Sequence, residues 1–172
     1  MSDATYQPKV YRKQGGDEQV IASGGVQTFE SGATQTIDAG AQMNIRGTKF
    51  EIQPAPTAKT VANTLTIAEL LTKIINATPT ATGATAAYTL PTGALVDAGV
   101  TMAVNDSFDW CLINNALAAA DTITVTAGDG HTIVGNPIVQ SLHVSTGGIM
   151  GYSSLWRTRK TAAATFVTYR IA

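Results

Sequence analysis

The chain has 172 residues and a formal net charge of −1, with 13% charged and 44% hydrophobic residues. Its charged share is about half the usual value of roughly 25%, which argues against a disordered chain, since disorder goes with low hydrophobicity and high charge. It also disfavours a nucleic-acid binder. Between Ile74 and Trp156 there is no cation to neutralise phosphates, only Asp97, Asp106, Asp109, Asp121 and Asp129.

The single cysteine, Cys111, excludes an intrachain disulfide and a Cys-rich metal site. No apolar run reaches the length of a membrane span, and the polar start Met1-Ser2-Asp3-Ala4-Thr5 does not read as a signal peptide. A protein made and used without secretion is expected, with no membrane partner. The 26 Thr and 26 Ala residues suit strands packed into sheets with rather neutral contact surfaces.

Residues 1–19 form an N-terminal arm without a periodic face. It carries Tyr6, Lys9, Tyr11, Arg12 and Lys13. It reads either as a mobile tail or as an arm that orders against a partner, because Tyr and Arg are enriched at binding hot spots.

Residues 20–52 repeat every eight positions. Gly24, Gly32 and Gly40 recur at the turn position, and Ile21, Phe29, Ile37 and Ile45 at the bulky apolar position. Each unit reads as a Gly turn and a short alternating strand, with Thr48–Ile52 as a last strand. One large side chain per unit is too little to offset the entropy of ordering it, and repeats that cannot bury their own face stack on something else. The same segment of other chains is the most economical partner. A β stem is therefore expected, with Ile21, Phe29, Ile37 and Ile45 facing an oligomer axis, in an obligate homo-oligomer.

Residues 53–60 contain Pro54 and Pro56 and read as a linker. In residues 61–172, Thr66-Ile67-Ala68-Glu69 is a capping box. The spacing of Ile67, Leu70, Leu71, Ile74 and Ile75 predicts a helix with one apolar stripe, ended by Asn76 and Pro79. A helical turn is predicted near Leu95 and Val96. About seven strands follow from Tyr88 onward: Ser107–Ile113 presents Phe108, Trp110 and Leu112 to one side, and Asp121–Thr126 shows its threonines outward. Gly128-Asp129-Gly130 reads as a hairpin turn into His131–Gly135. The fold class expected is mainly β: a Gly-repeat stem joined to a C-terminal β-sandwich, jelly-roll-like, with one short helix.

Chemistry is sparse. His131 and His143 sit in separate strands with no third ligand at a metal spacing, and Cys111 lies mid-strand, where an inert thiol is the commoner case. Asp106 and Asp109 read as flanking a strand start. Neither a phosphate loop nor a nucleophile elbow is present. No catalytic residue, metal or cofactor is expected.

Tyr11-Arg12-Lys13-Gln14-Gly15-Gly16, leading through Val20–Gly25 into Glu30-Ser31-Gly32-Ala33, resembles the opening of tailed-bacteriophage head decoration and head-fibre proteins. The blocks Leu65–Asn76, Asp106–Asn115 and Thr122–Asn136 look like their C-terminal sandwich domain. The resemblance implies a virion structural protein, commonly trimeric, that cements the outer face of a capsid after synthesis in the host cytoplasm. Its partners would be its own copies and the major capsid protein, with the arm residues Tyr6, Lys9, Tyr11, Arg12 and Lys13 as the expected capsid contact. It carries no catalytic residues across. The alternative is a tail-fibre or receptor-binding module, since tail fibres use similar Ser-Gly-Gly repeats. Exposed aromatics such as Tyr152 and Trp156 around a groove would favour that alternative.

Overall fold

The computed structural model describes residues 10–12, 15, 18–30, 33, 35, 37, 43, 48–79, 85–116, 121–141, 144–145, 148–149 and 153–172. The chain divides into two units, Met1–Phe50 and Glu51–Ala172.

In the first unit, β1 (Val10–Arg12) pairs antiparallel with β2 (Gln19–Ile21), Val10 standing opposite Ile21. This hairpin spans the arm–stem boundary expected at residue 19, so the two segments are not separable there. Beyond it, the eight-residue repeat shows itself in turns. The N–H of Gly25 donates to Ala22 O at 2.8 Å, and the N–H of Ala33 donates to Glu30 O at 2.9 Å, the same contact one repeat later. Gly24 holds φ = 73° in the first turn, a conformation glycine adopts without steric cost. No strand occurs among the described residues between Ala22 and Ile52. The alternating strands expected in the stem, and the one expected at Thr48–Ile52, are therefore absent there: within one chain, so short a unit has no neighbouring ladder for its backbone groups. Tyr6, Lys9, Lys13, Gly32, Gly40 and Ile45 lie outside the described residues.

The second unit runs β3 (Thr57–Lys59), β4 (Asn63–Thr64), α1 (Ile67–Leu71), β5 (Ile74–Ala77), β6 (Thr85–Thr89), α2 (Gly93–Gly99), β7 (Ser107–Asn114) and β8 (Thr122–Thr126). It continues through β9 (His131–Val134), β10 (Ile138–Val139), β11 (Val144–Ser145), β12 (Gly148–Ile149), β13 (Ser153–Ala162) and β14 (Thr165–Arg170). β3 falls inside the stretch read as a linker, so this unit begins before residue 61.

A six-stranded sheet has the order β3-β5-β7-β13-β14-β9 and a four-stranded sheet the order β10-β8-β6-β4; β11 and β12 pair separately. From β3 to β8 the chain alternates between the two larger sheets, and each strand after β4 pairs parallel with the one two places before it. The chain thus winds in coils. Ile74 stands opposite Cys111 in one sheet and Thr85 opposite Thr122 in the other, the same 37-residue offset in both. Stacked coils bring like residues together: Thr85 with Thr122 at 3.1 Å, Thr89 with Thr126 at 2.8 Å, and Asn115 with Asn76 through their side-chain amides.

A jelly roll is built from antiparallel strands. Here five of the eight pairs in the two larger sheets are parallel. The antiparallel pairs lie where β13, β14 and β10 add on. The loop Gly128–Gly130 is not a hairpin turn either, because β8 and β9 belong to different sheets. The inner faces of both sheets meet in one core that includes Ile75, Tyr88, Trp110, Leu112, Ile123 and Trp156. Trp110 stacks on Trp156 with centroids 5.6 Å apart and planes 13° apart.

There are two helices rather than one. The capping box forms as expected: Glu69 N donates to Thr66 Oγ1 at 3.2 Å, and Thr66 N to Glu69 Oε2 at 2.8 Å. The helix nevertheless stops at Leu71, with Thr72 as its C-cap, and Lys73 turns left-handed at φ = 66°. Ile74 and Ile75, read from spacing as part of its stripe, belong to β5 and point to opposite faces.

Candidate functional site

A groove of about 510 Å³ opens on the six-stranded sheet beside the end of α1. Three strands in register supply Ile74, Cys111 and Leu155 to it, one from each of β5, β7 and β13. Their neighbours Ile75, Leu112 and Trp156 are buried in the core, so strand alternation places this row on the sheet's outer side. Leu70, Leu71, Phe108 and Trp110 also contribute to its lining.

Polar groups stand at the rim, already engaged. Lys73 Nζ lies 3.2 Å from Glu51 Oε2. Asp109 receives both Nε and Nη2 of Arg157, at 2.7 and 2.8 Å, from the directly opposed position on β13. That bidentate bond holds the Asp109 carboxyl below its ordinary range. Burial pushes the Cys111 thiol above its ordinary value, which leaves it a poor nucleophile at neutral pH.

The segment entering the second unit straps along this groove. Gln53 Nε2 donates to Thr72 O at 2.6 Å, and Glu51 and Gln53 both line the groove. Ile52 between them is 92% exposed.

Three further carboxylates are engaged in ion pairs or backbone bonds of the fold. Lys160 reaches Asp97 Oδ1 at 2.7 Å while Asp97 Oδ2 accepts the Ala164 N–H at 2.7 Å; the Lys160 bond, then the Ala164 bond, lower the Asp97 pKa. At Glu69 burial pulls the carboxyl up, but Lys59 at 2.5 Å and the Thr66 N–H together bring it below its ordinary value. Asp106 accepts the Ala103 N–H at 2.8 Å just before β7.

Cys111 and His131 do not meet. They stand on the third and sixth strands of the sheet, and His131 stacks on buried Phe166 with its Nδ1 toward Thr168. His143 and Tyr152 lie outside the described residues. Trp156 is fully buried, so it lines no surface groove. Among the described residues no three of His, Cys, Asp and Glu gather as a metal ion would require.

No family model, curated protein or solved structure matches the chain.

In the first unit, three of the four residues expected at an oligomer axis are described. Ile21, Phe29 and Ile37 are 37, 48 and 43% exposed in the single chain. Of the arm residues, Tyr11 and Arg12 lie on β1 and are exposed. The groove is not legible in the sequence, because the spacing of Ile74 also fits the helical stripe. The signal that was available is the β-branched pair Ile74-Ile75 directly after Lys73, which suits a strand better than a helix.

Proposed function

We propose that this chain is a non-enzymatic virion structural protein that coats the outer surface of a phage capsid as a homo-oligomer, a trimer, in the manner of head decoration and head-fibre proteins. The observation that carries the reading is the exposure of Ile21, Phe29 and Ile37 at the same position of an eight-residue repeat. Large apolar side chains repeated on one short period and left in water call for copies of themselves as neighbours. In this reading the repeat becomes a β stem by pairing between chains, which supplies the backbone partners that one chain lacks.

The engagement of Asp97, Asp109 and Glu69 in structural ion pairs supports a non-enzymatic role. The arm contributes Tyr11 and Arg12 as capsid contacts, and several arms on one oligomer bind a shell with avidity. Burial of Trp156 removes one of the two aromatics that would have favoured a receptor-binding module.

The test is co-sedimentation with expanded shells of the cognate major capsid protein. Saturable binding is expected, and it should be lost in Tyr11→Ser/Arg12→Ser, a pair of substitutions on exposed positions that keeps β1 in place. Binding to host cells with none to shells would overturn the proposal in favour of the receptor-binding alternative.

A further inference from the structure

We infer that the groove beside α1 seats the strap of a second copy, with Ile52 of one chain entering the groove of the next; this rests on the oligomeric reading above. Three observations choose that occupant. The groove is apolar along Ile74, Cys111, Leu155 and Leu71, and its rim charges are already paired, Lys73 with Glu51 and Asp109 with Arg157. An uncharged, aliphatic occupant therefore fits, whereas an anionic or cationic ligand would have to break a pair. Ile52 supplies that chemistry. It is a large aliphatic side chain 92% exposed in the single chain.

Its own groove is closed to it. Glu51 and Gln53, the residues on either side, face that groove and are tied to Lys73 Nζ and Thr72 O, so Ile52 points away. Knob and groove are thus different patches of one surface, back to back on the strap. Two copies about a twofold axis would exchange this contact twice, whereas copies related head-to-tail close into a ring when the rotation permits. Both arrangements fill every groove with an Ile52, and the trimer proposed above is the ring.

The chain offers its own probe, because Cys111 is its single cysteine and lines the groove. In full-length Ile52→Cys, mild oxidation above pH 8.5 should link residue 52 of one copy to Cys111 of the next. Each chain then carries two links, so a covalent trimer should run on a non-reducing denaturing gel if the copies form the ring; a doubly linked dimer keeps the groove contact and overturns the trimer. Either species should vanish in Ile52→Cys/Cys111→Ser, and Leu95→Cys, exposed on α2, should produce neither. As a second readout, Ile52→Ser should weaken self-association about tenfold or more, the loss of one buried aliphatic side chain.

An oligomeric wild type that gives only monomers in Ile52→Cys, or links that survive Cys111→Ser, overturns the groove assignment and leaves the oligomer standing. A monomeric wild type in sedimentation overturns both.

Discussion

His131 is the residue whose protonation the fold opposes most directly. Its ring stacks on Phe166 at 5.4 Å, its Nε2 is buried without a partner, and its Nδ1 meets Thr168 Oγ1 at 3.5 Å. From there a hydroxyl chain runs inward. Thr168 Oγ1 lies 3.0 Å from Thr158 Oγ1, which accepts the Trp110 Nε1–H at 3.1 Å. A proton on this half-buried imidazole would place a charge against apolar Phe166, and burial accordingly lowers its pKa from 6.5. As pH falls below about 6.5, the unfolded chain takes up this proton and the folded chain does not. Stability is therefore lost from that point down to the lower folded pKa. A second loss begins further down. Glu69, Asp97 and Asp109 have lowered folded pKa values, so the stability they contribute above ordinary carboxylate pKa values disappears as pH falls through the folded ones. Urea midpoints measured from pH 7.5 to 5 should fall for the wild type and stay nearly flat for His131→Phe, which keeps the ring and removes the titration. An unchanged slope in the variant would assign the effect to another group.

At the scale of elements, buried Asn114 knots the coils together. It ends β7, and its Nδ2 donates to Asp121 O at 3.2 Å ahead of β8 and to Val139 O at 3.1 Å on β10, while its Oδ1 accepts the Ala116 N–H at 3.1 Å. One amide thereby joins the six-stranded sheet to the four-stranded one. Asn114→Leu keeps the branching of the side chain and strips these bonds from buried backbone groups, each worth about 1–3 kcal/mol when left unmade. A loss of about 2–5 kcal/mol in denaturant titration is expected; a change below about 0.5 kcal/mol would show the knot to be dispensable. The strands that Asn114 joins were legible in the sequence, since the alternation at Phe108, Trp110 and Leu112 and at Ile123 and Val125 is the alternation of the core. Their partners were not. Period-two patterning tells which face a residue takes but nothing about which strand lies alongside or in which direction, and the 37-residue offset has no sequence repeat behind it. The helix ends earlier than its spacing predicts for a related reason. Ile67, Leu70, Leu71, Ile74 and Ile75 fit helical spacing, yet a two-residue alternation from Ile74 fits as well, and the left-handed Lys73 decides between them. In the candidate site, Cys111 and Leu155 were visible as strand residues, but their meeting with Ile74 depends on that misassigned turn.

For the whole molecule, the two units differ in what they bury. Glu51–Ala172 closes a core around Trp110, Trp156 and Tyr88, whereas Met1–Phe50 leaves Ile21, Phe29 and Ile37 in contact with water. In the reading proposed above, the chain is a folded body attached to a segment whose apolar side chains find their partners on copies of itself. Phe29→Asp with Ile37→Asp tests this, both substitutions lying in the first unit. Burying such side chains is worth roughly 1.5–3 kcal/mol each, and a carboxylate at either position adds repulsion between copies, so self-association should collapse toward monomer at micromolar concentration in sedimentation velocity. The near-ultraviolet circular dichroism of the Trp110–Trp156 stack should be unchanged, since both rings are buried inside the second unit and both substitutions lie in the first. If both signals hold at wild-type values, the repeat is not what brings the chains together. If both are lost, the first unit contributes to the fold of the second, and the division at Phe50 is structural only. Loss of self-association with an intact tryptophan signal is the outcome that the proposed stem predicts.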